Sequence, residues 1–192
     1  MIAAATSPNN NFMTSILLAV TLLGFQAPPA PAIDNQRVQV REVDPEMVVS
    51  PYDSVWVSRT GEASFLPKGV KLKADGKGIL IGLKDFKVEP LPNKSGYPLA
   101  FPRPGSKKLF ENARVIIWDY TWTTGVATPM HFHDKDVVVF YLEDGDLQST
   151  TPKGEKTVNP YKRFMIRFNL RDRIHTETLI RGKQRAIITE LK

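Results

Sequence analysis

Apolar and polar residues alternate through much of this chain, the two-residue period of half-buried β-strands, whose successive side chains face opposite sides. In QRVQVREV, Val38, Val40 and Val43 are separated by polar neighbours, and SVWVS at 54–58 reads as a second strand. Val70 and Leu72, then Asp75-Gly76, then the apolar run 79–83 predict a hairpin on an Asp-Gly turn, with another short strand at 85–88. Between Glu89 and Gly105, Pro90, Pro92, Pro98, Pro102 and Pro104 break any ladder or helix. That stretch is expected as a long surface loop, pinned by Tyr97 and Phe101 and placed to cover the mouth of a site.

From Ala113 the strands resume as RVIIWDYTW, HFH with the run 137–142, LQSTT, KTVNP, RFMIRF, IHTETLI and RAIITEL. Turn signals separate them at Asp144-Gly145, 152–154, 170–173 and Gly182, and Phe140 and Phe168 read as core. Short, evenly spaced strands with no helical period predict an all-β barrel or sandwich.

The start of the chain follows another rule. Residues 1–33 carry no charged side chain, 15–25 are continuously apolar, and QAPPAPA ends on Ala30-Pro31-Ala32. This predicts a secretory signal segment over 1–32, cut after Ala32, and so an exported protein, periplasmic or secreted. The apolar run is shorter than the roughly 20 residues a membrane span needs. No Lys or Arg precedes it, which departs from the usual leader and leaves an uncleaved N-terminal anchor as the alternative. After it come strands, hairpin and Pro-rich loop over 33–107, then a barrel core over 108–192.

Composition narrows the chemistry. With no cysteine, disulfides, thiolate metal sites and cysteine nucleophiles are excluded. The net charge of +6 is uneven: 1–152 hold 15 basic and 16 acidic residues, while 153–192 hold 11 and 4. Those cations are scattered over strands and turns, which reads as a solvated positive surface; if they serve a partner, a small anion is expected and nucleic acid is not.

All three histidines can meet. His131 and His133 stand at i and i+2 on one strand and share a face; His175 lies on a later strand. Converging neutral imidazoles suit Zn, Fe, Cu, Mn or Ni, although histidines in ordinary hydrogen bonds would show the same spacing. Counting by twos from His133 turns Lys135 and Val137 inward and Asp134 and Asp136 outward. The same count from His175 reaches Glu177, either a fourth ligand or imidazole-orienting partner, or an ion-pair partner of Arg173 or Arg185 at the rim. Trp118, Tyr120 and Trp122 form a one-faced stripe, as barrel core or as the aromatic wall of a pocket.

On these residues the sequence resembles the cupins, small jelly-roll or double-stranded β-barrels. Gly125, five residues, His131-Phe132-His133 and a closing Gly145 match that family's first motif, with Val138 where its glutamate is expected. His175, Gly182, Ile187, Ile188 and Leu191 are similar to its second motif, with Arg171-Asp172-Arg173 in place of the usual P-x-G turn. The resemblance covers 113–192. It implies a divalent transition metal (Fe, Mn, Zn, Cu or Ni) on His131, His133 and His175, with Glu177 as an added candidate. It also implies a small-molecule ligand or substrate and a homodimer; the candidate pocket is the one Trp118, Tyr120 and Trp122 would wall if their stripe faces the cavity, with Val138 at the place of the missing glutamate. A valine in place of a carboxylate leaves the ion more positive and favours an anionic ligand. The implied function is a metal-binding cupin acting on or binding a small anionic or aromatic molecule, as a dioxygenase, isomerase or decarboxylase. The alternatives are a non-catalytic ligand- or metal-binding module and a metal-free barrel with structural histidines.

Overall fold

The computed structural model describes residues 30–44, 48–72 and 76–192. The expected leader lies outside the described residues apart from 30–32, as does Asp75 of the expected Asp-Gly turn. Among the described residues there is no helix, and so none long and apolar enough to cross a membrane.

The first half supplies β1 (Ile33–Asp34), β2 (Val38–Val43), β3 (Val48–Val49), β4 (Asp53–Ser58), β5 (Ala63–Leu66), β6 (Lys71–Leu72) and β7 (Gly78–Leu83). Five of these form an antiparallel sheet in the order β1-β2-β7-β4-β5, and β3 pairs with β6 in a separate ribbon. The hairpin expected between Val70 and Leu83 is therefore not formed. Leu72 pairs with Val48, and β7 inserts between β2 and β4. Every residue of β7 is buried, and a strand buried on both faces belongs at the middle of a sheet, which outweighs its local turn signal. The expected strand at 85–88 is irregular.

The second half supplies β8 (Ser106–Glu111), β9 (Val115–Trp122), β10 (His131–His133), β11 (Val137–Tyr141), β12 (Gly145–Thr150), β13 (Lys156–Tyr161), β14 (Ile166–Asn169), β15 (Arg173–Gly182) and β16 (Gln184–Leu191). These form two sheets, β14-β11-β16-β9-β8 and β10-β15-β12-β13. From β9 onward the chain crosses between the sheets at every connection except the β12–β13 hairpin, a jelly-roll barrel. Asp144-Gly145 is one of those crossings, since β11 and β12 lie in different sheets. The expected boundary at 107/108 falls inside β8.

Strand alternation separates two cores. One face of the β9, β11 and β16 sheet packs Val115, Ile117, Val138, Phe140 and Ile187 against Val38, Val40, Val55, Val57, Ile79 and Ile81 of the N-terminal sheet. The opposite face sends Trp118, Tyr120, Trp122, Val137, Val139, Tyr141 and Ile188 into the barrel. The N-terminal sheet is thus a third layer that walls off the barrel. Val138 is completely buried in the outer core, so it does not line the pocket. Odd and even positions of a strand face opposite ways, and the inward one here is Val137.

The Pro-rich segment is paired over part of its length, and its Phe101 and Arg103 line the pocket over the histidines. It runs along the outer edge of β10: the amide of Phe132 donates to Pro98 O and that of Ala100 to Phe132 O, each at 2.9 Å. The amide of Leu91 donates to Asp134 O at 2.9 Å, and Leu99 bridges Phe132 in parallel. Prolines on this outermost strand leave fewer free amide donors, which blunts an otherwise exposed edge. Phe101 then turns into the barrel and stacks on Trp118 with ring centroids 5.2 Å apart.

Candidate metal centre

Antiparallel pairing of β10 with β15 sets the three imidazoles. His131 lies directly opposite His175, and His133 opposite Arg173. Because His131 and His133 are two apart, both point inward, and one nitrogen from each of the three rings falls within 4.8 Å of the others. The ring centroids are 4.8 to 5.1 Å apart.

Neighbours fix which nitrogen faces the centre. His131 Nδ1 donates to Pro129 O at 2.8 Å, which puts the ring's acceptor lone pair on Nε2. His175 Nδ1 lies 3.0 Å from Ser149 Oγ, which again turns Nε2 inward. Such outer hydrogen bonds orient metal-binding imidazoles. His133 Nε2 stands 3.1 Å from His175 Nε2, and two such lone pairs repel unless a proton or a cation lies between them. That separation suits two nitrogens each about 2.1 Å from one ion. His133 Nδ1 is buried and has no hydrogen-bond partner among the described residues.

The rings are held neutral, as ligation requires. Burial, helped by the charges of Arg103 and His175, pulls the pKa of His131 down to about 3. Burial and Arg173 push His133 well below the ordinary histidine range. His175 is lowered by burial, although Glu177 pulls the other way. The donor set fits a divalent transition metal.

Arg103 is the residue that strand periodicity missed. It comes from the Pro-rich segment, is 8% exposed, and donates from Nη1 to His131 Nε2 at 3.0 Å. Its Nη2 reaches Glu177 Oε2 at 3.4 Å, and its guanidinium lies over the Tyr120 ring at 4.0 Å. No strand-period signal marked it, because the chain bends at 101–102 and the two-residue rule does not carry from Phe101 to Arg103.

Glu177 lies on the His175 face and lines the pocket, but its carboxylate is outside the three-histidine group. Its Oε2 accepts from Arg103 and, at 3.3 Å, from Trp122 Nε1. Burial alone would raise its pKa, but Arg103, His175, His131 and Arg173 together lower it. The rim partners expected for it are placed elsewhere: Arg185 pairs with Asp119, and Arg173 Nε donates to Leu170 O. Of the aromatic stripe only Trp122 lines the pocket. Tyr120 lies beneath Arg103, and Trp118 donates to the buried Glu190 at 2.8 Å.

The pocket over the histidines has a volume of about 160 Å³, about the liquid-phase share of five waters. Arg103, Arg167 and Arg173 line it against the single carboxylate of Glu177, with Asn159, Asn169, Tyr141 and Tyr161 between them. Arg173 Nη2 is buried without a partner among the described residues, while Arg167 is exposed. A larger cavity of about 350 Å³ lies beside Arg37, Arg114 and Lys192. Those three cations are already paired with Asp136, Asp53 and Glu111, so it shows less unpaired charge.

No family model matches the chain. The beta-alanine degradation protein BauB of Pseudomonas aeruginosa is 37% identical over 62 residues, 32% of this chain and 61% of that protein, so the match spans under two thirds of that relative. Among solved structures the chain is similar to a cupin domain from Bordetella pertussis Tohama I, with 23% identity, coverage of 47% of this chain and 97% of that one, and a TM-score of 0.42. A cupin 2 conserved barrel domain protein from Leptotrichia buccalis gives 12% identity, 83% and 86% coverage and a TM-score of 0.42. An RmlC-like cupin from Methanocaldococcus jannaschii gives 16%, 56% and 91%, and 0.38.

Proposed function

We propose that this chain is a metal-binding cupin whose three-histidine centre takes a small organic anion. The observation that carries this reading is the convergence of His131, His133 and His175, with two rings oriented from behind by Pro129 O and Ser149 Oγ. A bound divalent ion would be held by their inward nitrogens, and it would supply Lewis-acid polarisation or activation of a small ligand.

The protein's own residues do the rest. Three guanidiniums against one carboxylate give the pocket a positive potential that draws an anion inward. Arg173 offers an unpaired buried N–H donor, which suits a carboxylate oxygen. Tyr141, Tyr161, Trp122 and Ile188 narrow the space and exclude water, so a compact acid fits better than a fused ring system. The uncharged apolar start of the chain supports action outside the cytoplasm.

Metal analysis of the purified protein tests the centre. About one equivalent of a divalent transition metal is expected in the wild type and almost none in His131→Ala. Equal trace amounts in both would leave the histidines with a structural role. Oxygen uptake and product formation over a panel of small carboxylates and phenolics then separate an enzyme from a binding module.

A further inference from the structure

We propose that Glu177 is a carboxylate ligand of this centre, held off it by Arg103, which must release His131 and Glu177 before a divalent cation can engage both. The inference rests on the metal-binding reading above. The inward position at the start of β11 holds Val137, which has no ligand atom. Glu177 is the one carboxylate among the residues lining the pocket, and it follows His175 by two on the same face of β15. It is therefore placed to supply the negative charge that the first motif lacks.

Arg103 stands in the way. A single guanidinium spans both groups, 3.0 Å from His131 Nε2 and 3.4 Å from Glu177 Oε2. The His131 lone pair cannot serve an N–H donor and a cation at once. A guanidinium this close would also repel a divalent ion through a partly dry interior. Its polar hold on the carboxylate is weak: the contact to Glu177 is long for a hydrogen bond, and Nε is buried with no partner among the described residues, so its strongest remaining contacts are the face it lays on Phe101 and Tyr120 and the bond to His131. It rides on the strap along β10, whose hold beside Arg103 is the Ala100–Phe132 pairing, the Phe101 stack and the bonds that tie the Arg103 backbone to Ser106. Withdrawal would thus move one short segment and leave the barrel strands in place.

Cobalt(II) titration of the full chain tests this, read by its visible absorption bands, by competition with a chromophoric chelator and by hydrogen exchange at the Ala100 amide. Arg103→Met should bind cobalt about tenfold or more tightly than wild type, because a like charge is gone. Glu177→Gln should bind about tenfold more weakly, with shifted bands. Cobalt should speed Ala100 exchange in the wild type and leave it unchanged in Arg103→Met. Arg103→Lys keeps the charge but not the two-pronged reach, so its affinity should fall between wild type and Arg103→Met; it serves if Arg103→Met melts early. Equal affinities for wild type and the Arg103 variants would overturn the lock, and an unchanged spectrum in Glu177→Gln would remove the ligand, with the metal reading standing in both cases. Absence of cobalt binding in every folded variant would overturn the metal reading together with this proposal.

Discussion

The two faces of the β9, β11 and β16 sheet are built from alternate residues of the same strands, yet they do different work. The outer face is largely aliphatic and phenyl: Val115, Ile117, Val138, Phe140 and Ile187 meet another layer of valines and isoleucines, with the Arg185–Asp119 ion pair beside them. The inner face mixes Trp118, Tyr120, Trp122 and Tyr141 with Glu190, and it looks across the barrel at three histidines and Arg173, with Arg103 and Arg167 lining the same pocket. Burial stabilises in both places, but on the inner face it also disfavours charge. Stability drawn from the apolar contacts of the outer face should therefore ignore pH, and stability drawn from the inner face should depend on it.

Acid is the strongest way to break that equivalence. An unfolded histidine titrates near 6.5, whereas folded His131 stays neutral down to about 3. Between those values the unfolded chain binds the extra proton, so stability falls as pH falls. Over the whole window His131 alone is worth on the order of 5 kcal/mol, and His133 and His175 add in the same direction. Glu190, whose pKa burial raises, opposes part of this. Urea unfolding of the metal-free protein in steps from pH 7 to pH 4 should show a steep loss that flattens in His131→Gln. A profile identical in the two proteins would mean that the ring protonates in place.

The outer face gives the next largest effect. Phe140 is 2% exposed and central to the core shared with the N-terminal sheet. Phe140→Ala should cost about 3–5 kcal/mol at every pH, because the lost methylenes and the cavity carry no charge. Metal stoichiometry should be unchanged in protein that remains folded. A loss of metal alongside stability would show that the two faces are mechanically coupled through β11.

How much of this was legible beforehand follows the same division. Alternation is local, so it paired His131 with His133, put Glu177 on the His175 face and aligned Trp118, Tyr120 and Trp122. It also turned Val137 inward, and it is motif spacing that put Val138 in the pocket. Partners chosen at long range were not legible. Nothing near Asp75-Gly76 says that β7 is claimed by β2 and β4, and those contacts depend on how much surface each pairing buries. Arg103 was hidden for a related reason. It lies among prolines, where no strand period is counted, and only the edge pairing with Phe132 delivers it to His131.

The finest test lies at the far end of the inner face. Glu190 is 3% exposed and its Oε2 accepts from Trp118 Nε1 at 2.8 Å. Trp118→Phe keeps most of the ring that stacks on Phe101 but removes this donor. A buried carboxylate that loses a donor costs about 1–3 kcal/mol. The carboxyl can escape part of that cost by taking up a proton, which its raised pKa already favours. The destabilisation should therefore be largest near neutral pH and shrink toward pH 5. The outer-face counterpart is Ile117→Val, on the same strand and also fully buried, which should cost about 0.5–1.5 kcal/mol whatever the pH. Parallel denaturation curves for both variants at pH 7 and pH 5 decide the matter. If the Trp118→Phe cost does not shrink, the carboxylate has found another donor, and pH sensitivity on the inner face belongs to the histidines alone.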